Sequence, residues 1–184
     1  MAIGIKCTRA EAGYDLSASK FFGTPTLPLG WEEEYEESVL FFAQIRLADI
    51  APFDKENRLP HTGYLYLFLD TKDGKYHMRP ILRYHDGEPA LAIDGFNAVV
   101  EGYEQYTAAY LMSFYAAPDG EEGTRLFGTP ADWSYGDAPP DLLLQYDPLD
   151  GDMGFLDDID GFLYFFFGEN KEDPSAVTLH TEHT

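Results

Sequence analysis

Short apolar runs alternate with polar turns along the chain, a pattern typical of a β-rich protein. Residues 63–70 read GYLYLFLD, residues 75–84 read KYHMRPILRY and residues 89–94 read PALAID, and the turns TKDG and HDGEP separate them. An Asp-Gly pair favours a hairpin turn because glycine accepts a positive φ. The three runs therefore predict a β-meander, in which Pro80 marks an edge position or a bulge.

Three other segments predict further elements. Residues 38–47 (SVLFFAQIRL) form a compact aromatic run that is too short for a convincing helix, and they predict a buried strand. Residues 107–117 alternate large and small side chains and predict another strand. Residues 160–170 are apolar on both faces of a strand, which predicts a central position. Residues 96–106 predict a short helix.

The same elements occur twice, in the same order. The motif FGTP occurs twice, 105 residues apart. It is followed by LFFAQI in the first half and LLLQYD in the second, at an offset of 101 residues, and then by GYLYLFLD and GFLYFFFG, at an offset of 98 residues. Ordered matches at a nearly constant offset indicate an internal duplication. We predict one mostly β domain over residues 1–184, with few short helices and two related halves at approximately 17–94 and 107–170. The positions that define the repeat are Gly23, Pro25, Gln44 and Gly63, and then Gly128, Pro130, Gln145 and Gly161.

Each repeated piece has a physical interpretation. In FGTP, proline forces extended angles on the residue before it and glycine permits a turn, so the motif predicts a rigid corner with a buried Phe. Gln44 and Gln145 each end an apolar strand, where a side-chain amide can satisfy backbone groups on both sides. We interpret them as structural, with a partner-binding role as the alternative.

Charge changes the functional picture most. The 184 residues carry 33 acidic and 12 basic side chains, a formal net charge of −21. No Lys, Arg or His occurs from Leu126 to Asn170, whereas ten acidic residues do. A nucleic-acid backbone would be repelled, so nucleic-acid binding is excluded. The excess charge is explained by solubility or by steering toward a basic protein or a cation.

The acidic loop DPLDGDMGFLDDIDG is the one candidate metal site in the sequence. Carboxylate oxygens are the ligands that Ca²⁺ prefers, but the spacing does not match an EF-hand loop, and a solvated connection between strands is the alternative. The candidate ligands are Asp147, Asp150, Asp152, Asp157, Asp158 and Asp160.

Aromatic residues follow each FGTP motif, with Trp31 in the first half and Trp133 and Tyr135 in the second. Such residues either cover a hydrophobic core or anchor a binding partner. We therefore name them as candidates for partner binding.

Catalytic and cofactor motifs are absent. The chain has no G-x-S-x-G, H-E-x-x-H, P-loop, G-x-G-x-x-G or C-x-x-C, so we assign no catalytic residue and no cofactor, and we favour a protein that is not an enzyme. Cys7 is the sole cysteine, which excludes an intramolecular disulfide. With no secretory signal and no long apolar run, we expect a cytoplasmic protein that does not enter a membrane.

Taken together, the segments SASKFFGTPTLP, FFAQIRLADI, LPHTGYLYLFLD, LFGTP, LLLQYD and GFLYFFF resemble the YwqG-like family, or DUF1963, over about residues 17–168. Two positions depart from the family pattern: Trp-Pro is here Trp31-Glu32, and a late Trp-Gly-Asp-x-Gly is here FLDDIDG. The resemblance implies a single bacterial, cytoplasmic, β-rich domain of two related halves. It implies no established activity.

Three functions remain open. The leading hypothesis is a non-enzymatic module whose acidic face binds a basic protein, in one form an immunity protein against a basic toxin. The second is a divalent-cation-binding module or metal-dependent hydrolase that uses the loop 147–160. The third is a structural or assembly protein, and the sequence does not define an oligomeric state.

Overall fold

The protein is described by a computed structural model over residues 1–74, 77–131, 133–134, 139–150, 153, 161–168 and 176–181. Helical structure in these ranges is short: α1 (Leu47–Ile50) and 3-10 helices at Trp31–Glu34 and Phe96–Val99. The predicted mostly β fold class is confirmed. The strands, in chain order, are β1 (Ala2–Arg9), β2 (Lys20–Phe21), β3 (Thr26–Leu27), β4 (Val39–Arg46), β5 (Tyr64–Asp70), β6 (Arg79–His85), β7 (Leu91–Ala92), β8 (Tyr110–Ala117), β9 (Arg125–Leu126), β10 (Leu142–Tyr146), β11 (Leu163–Phe167) and β12 (Val177–Thr181).

One large antiparallel sheet dominates the described part of the chain. Ten strands follow the order β12-β11-β10-β9-β1-β8-β2-β4-β5-β6. The strands at the two ends of this order, β6 and β12, lie beside each other without a ladder between them in the described residues, so the sheet curls nearly into a barrel. Strands β3 and β7 pair separately.

The predicted meander is correct for two of its three strands. β5 and β6 form a hairpin, with Asp70 opposite Arg79 and Tyr64 opposite His85. The third strand was wrongly placed, because β7 pairs with β3 and not with β6. Pro89, just before β7, has no N–H to donate to a ladder. In addition, the free edge of β6 faces β12, which leaves that edge no room for β7.

Burial on both faces of the sheet explains the doubly apolar strands. The inner face forms the main core, to which β5 contributes Leu65, Leu67 and Leu69. The outer face of β5 packs under the chain that follows the first FGTP, with Tyr66 and Phe68 in a second cluster beside Trp31. In the second half, β11 is covered in the same way by a third cluster. The side chains of that cluster are Leu142, Tyr164, Phe166, Trp133 and Phe162.

The two FGTP corners have the same backbone geometry. Phe22 and Phe127 have φ of 53° and 63°, and the glycines that follow them, Gly23 and Gly128, have φ of 75° and 85°. Both phenylalanines are buried. The Phe22 N–H donates to the carbonyl of Phe42, and the Phe127 N–H donates to that of Leu143. A left-handed phenylalanine is strained, and core burial of its ring offsets this cost.

Candidate functional site

Two equivalent rows of polar residues cross the outer face of the sheet. In the first polar row, Gln44 lies opposite both Lys20 and Tyr66, and Tyr66 lies opposite Arg83. In the second polar row, Gln145 lies opposite both Arg125 and Tyr164, and Tyr164 lies opposite His180. The residues of the first row are Lys20, Gln44, Tyr66 and Arg83; those of the second are Arg125, Gln145, Tyr164 and His180.

The glutamine of each row holds two loops by hydrogen bonds. The Gln44 amide donates to the carbonyls of Leu16 and Ala18 at 3.3 Å each, and its oxygen accepts from the Thr26 N–H at 2.9 Å. Gln44 is completely buried, so these bonds satisfy groups that water does not reach.

Gln145 makes the equivalent bonds in the second half. It donates to the carbonyls of Glu121 and Gly123 at 3.4 and 2.7 Å, and it accepts from the Ala131 N–H at 2.8 Å. Gln145 is also completely buried. With all of their amide groups in such bonds, the two glutamines have a structural role.

The remaining repeat-defining residues lie in the two corners or at the starts of two buried strands. Pro25 and Pro130 are buried where each corner ends. Gly63 and Gly161 each lie at or just before the start of a buried strand, β5 and β11. A Cβ on Gly63 would lie 2.2 Å from the carbonyl oxygen of His85, so the close approach of β5 to β6 requires glycine here.

The outer end of the first row opens onto a groove with a volume of about 420 Å³. We call it the acidic groove. Its basic side chains are already paired: Arg83 with Glu34 at 2.7 Å, Lys72 with Glu36 at 3.5 Å and Arg79 with Asp70 at 2.7 Å. The lining residues are Glu34, Tyr35, Glu36, Ser38, Val39, Asp70, Lys72, Arg79, Ile81 and Arg83.

Carboxylates outnumber cations on the chain segments that form the acidic groove. The segment 32–37 supplies five glutamates, and Asp70 and Asp73 add two carboxylates beside Arg79. Three of these seven carboxylates line the groove itself, together with three basic residues. Because exposed ion pairs contribute little free energy, these carboxylates remain available to an incoming cation.

Tyr35 lines the groove, and aromatic rings beside it hold Arg83 in place. The Arg83 guanidinium lies 3.5 Å from the centre of the Trp31 ring and donates to the Tyr35 hydroxyl at 3.1 Å. The Tyr35 ring stacks on Phe68 with the ring centres 4.3 Å apart. Burial raises the pKa of Tyr35 to about 12, so its hydroxyl stays protonated at neutral pH.

The inner end of the first row holds a buried amine. Lys20 is fully buried, donates to the Leu16 carbonyl and lies 5.9 Å from the centre of the Tyr14 ring. Desolvation lowers the pKa of Lys20 to about 7, although the charge of Asp15 opposes this shift. In the second row Arg125 is equally buried and donates to the Pro118 and Glu122 carbonyls. Both cations therefore hold the loop that precedes their corner.

The tryptophans suggested by the sequence lie at corresponding places in the two halves. Trp31 packs edge-on against Tyr66, with ring centres 5.4 Å apart, and Trp133 packs edge-on against Tyr164 at 6.2 Å. Both tryptophan side chains are half-buried, and each packs over a hydrophobic cluster on the outer face of the sheet. Trp31 also borders the acidic groove through Arg83, whereas Tyr135 falls outside the described residues.

The acidic loop is described only at its beginning. The Asp150 carboxylate accepts from the Thr124 N–H at 3.1 Å, and that of Asp147 accepts from the Leu149 N–H at 2.9 Å. Burial, with the nearby charge of Asp150, raises the pKa of Asp147. The candidate ligands Asp152, Asp157, Asp158 and Asp160 lie outside the described residues. Within the described ranges, no group of three potential metal ligands comes together.

Sequence reasoning missed residues whose partners lie far away along the chain. Arg83 pairs with Glu34, 49 residues earlier. The Asn97 amide is buried, donates to the Phe41 carbonyl and accepts from the Phe41 N–H, 56 residues away. An Asn beside a glycine-capped turn is only a weak indication of a buried structural amide, and nothing in the sequence predicts which residue it bonds.

Comparison with known proteins gives a family match for part of the chain. None of the helices in the described residues is long and apolar enough to cross a membrane. A search of curated proteins found no match to the chain. Residues 19–92 match the model of a family described as a domain of unknown function, DUF1963. The matched residues contain β2 through β7 and the first polar row, while residues 107–170 lie outside them. The similarity to DUF1963 that the sequence motifs predicted is confirmed over residues 19–92.

Proposed function

We propose that the protein is a non-enzymatic binding module whose acidic groove engages a basic protein partner. The observation that carries the proposal is a groove of about 420 Å³ that Tyr35 and three carboxylates line, with four more carboxylates on the segments beside it. Guanidinium and ammonium groups bind carboxylates by charge-assisted hydrogen bonds and stack on aromatic faces. A basic segment can therefore find both kinds of contact in one place.

The overall charge supports a fast encounter with such a partner. A net charge of −21 attracts a basic protein over long distances, and complementary charges raise association rates. Steering of this kind weakens as salt screens the charges. We therefore expect association rates to fall steeply with ionic strength.

An oligoarginine peptide tests the location of the binding surface. The triple variant Glu33→Gln/Glu36→Gln/Glu37→Gln removes three exposed charges from the segment 32–37, in which Glu36 lines the groove. The matched control Glu11→Gln/Glu101→Gln/Glu104→Gln removes three exposed charges elsewhere. At about 0.5 kcal/mol per charge, we expect the groove variant to bind about tenfold more weakly in calorimetric titration, and the control to change about twofold.

Equal losses in the two triple variants would contradict the proposal, because they would show that only net charge matters. Unchanged affinity in the groove variant would contradict it as well.

One concrete form of this function is an immunity protein that neutralises a basic toxin. It is supported by the charge alone, since acidic surfaces speed association with basic enzymes. The test is co-expression with a basic toxin encoded beside the gene. Survival with the wild-type protein and death with the groove variant are the expected results. Survival with both the wild-type protein and the groove variant would show that the groove does not bind the toxin.

A further inference from the structure

A second cavity opens where the curled sheet does not close. It has a volume of about 190 Å³ and lies between β6 and the end of β11. The chain that connects α1 to β5 forms its third side. The cavity thus lies between the two halves of the protein, on a different face of β6 from the ring of Trp31. Its lining includes Leu59, Leu65, Leu82, Tyr84 and Phe167.

The walls of this cavity are apolar and largely preformed. Leu65 and Leu82 belong to the main core, and Leu59 and Phe167 pack against it. Tyr84 stands at the mouth with 42% of its surface exposed. A dry cavity of roughly 150 Å³ accommodates benzene, so this one has room for a ring with a small substituent.

Two arginines line this apolar space, Arg58 and Arg83, and the Arg83 guanidinium is stacked on Trp31. Arg58 lies over the rings of Phe127 and Phe167, with its Cζ 4.4 and 5.3 Å from the ring centres. Its side chain is 19% exposed. Stacking on two rings fixes the plane of the guanidinium and desolvates its faces, which strengthens its interaction with an anion.

Arg58 retains hydrogen-bonding capacity. Its described hydrogen-bond acceptor is Asp141, whose carboxylate lies 2.5 Å from one terminal nitrogen and is itself 68% exposed. A guanidinium has five N–H donors and binds a carboxylate best through two of them. The exposed Asp141 carboxylate is thus a partner that a better-placed anion can displace.

We propose that this cavity binds a small apolar carboxylate, of the size of benzoate or phenylacetate, with its ring among Leu65, Leu82 and Phe167 and its carboxylate on Arg58. A cation would be repelled by Arg58, and a neutral ring would leave the guanidinium without its second bond. The net charge of −21 opposes anions at long range, so binding depends on contacts within the cavity and not on steering. For a ligand this small, affinity is on the order of millimolar to micromolar.

Amide-resolved NMR titration of the full chain tests the proposal. The probes are benzoate and phenylacetate, each compared with its neutral amide. We expect the carboxylates to shift the amide signals of Leu59, Leu82 and Phe167, and to bind about tenfold more tightly than the amides. The variant Arg58→Gln should weaken carboxylate binding by about tenfold or more.

A second variant changes the affinity in the opposite direction. Asp141→Asn removes the competing carboxylate, and we expect it to strengthen binding of both acids. Arg9→Gln removes an exposed arginine on β1 and should leave the affinity unchanged. Thermal unfolding of each variant identifies any that fails to fold, and the Asp141→Asn result keeps the proposal testable if Arg58→Gln does fail.

Three outcomes would overturn the proposal. One is equal affinity for the acids and their amides, which would show that the charge plays no part. Another is weaker binding in Asp141→Asn. The third is binding of a peptide with a C-terminal phenylalanine when neither small acid binds, which would assign the cavity to a polypeptide terminus.

Discussion

The two polar rows share their middle and differ at their outer ends. In both, a buried glutamine joins the loop before the FGTP corner to the chain after it, by bonds from the same amide atoms. At the outer end, Arg83 stacks on Trp31 at 3.5 Å in the first row. In the second row, His180 has its ring centre 5.6 Å from that of Trp133. The shared part builds the fold, and the part that differs borders the acidic groove.

The tyrosines of the two rows differ in the hydrogen bonding of their hydroxyl groups. Tyr164 donates its hydroxyl to the carbonyl of Ala131, whereas the buried Tyr66 hydroxyl has no partner among the described residues. In the first half, the residue equivalent to Ala131 is Thr26, which lies in β3 and pairs with β7. The two rows thus differ in how the residue after the corner is paired.

The corner phenylalanines should give the largest effects. Phe22→Ala and Phe127→Ala each remove a buried ring, and we expect each to lower the free energy of unfolding by about 4 kcal/mol. Urea denaturation measures both. The exposed Val99→Ala is the control. A loss of stability at one corner and none at the other would contradict the structural equivalence of the two corners.

The row glutamines come next. Gln44→Leu and Gln145→Leu each leave a buried N–H and two carbonyls without their partner, and we expect a loss of about 3 kcal/mol in each case. Gln105 is exposed, so Gln105→Leu should have little effect. If either buried substitution were as mild as the control in urea denaturation, that glutamine would not be structural.

The cations of the rows should respond differently to pH. Burial lowers the pKa of Lys20 from 10.5 to about 7, so between these values the unfolded chain binds a proton that the folded chain has lost. The stability of the wild type relative to Lys20→Met should therefore rise with pH, by up to about 1 kcal/mol per pH unit. Arg125→Met should give no such slope, because arginine stays charged. Urea denaturation from about pH 7 to about pH 9 measures both differences, and equal slopes would contradict the Lys20 shift.

The tyrosine pair should give the smallest and most selective difference. Tyr164→Phe removes the bond to the Ala131 carbonyl and should cost about 1 kcal/mol. Tyr66→Phe removes a buried hydroxyl without a described partner, so stability should stay equal or rise slightly. Thermal unfolding of the two variants side by side measures the difference. A larger loss in Tyr66→Phe would show that its hydroxyl is bonded in solution.

Local patterns in the sequence predicted much of this fold. Alternation and Asp-Gly turns located the strands from 38–47 to 75–84, and proline and glycine located the two corners. The third strand of the meander was wrong, because alternation indicates a strand but not its neighbour. The pairing of β7 with β3 depends on the closure of the sheet at β6 and β12, a property of the whole chain.

The candidate site was less predictable than the fold. WEEEYEE indicated an acidic, aromatic segment, and Trp31 was singled out within it. The groove itself needs Arg83, Arg79 and Asp70 from β5 and β6, and no spacing in the sequence links these residues to Glu34. Arg58 and Asp141, 83 residues apart, were missed for the same reason.

The most direct test of the proposed acidic groove is an NMR map of oligoarginine binding on the full chain. We expect the largest amide shifts in residues 33–38 and 70–74, with losses of intensity that disappear in the Glu33→Gln/Glu36→Gln/Glu37→Gln variant. Shifts centred on residues 147–150, or spread evenly over all acidic surfaces, would contradict the assignment of partner binding to the first half.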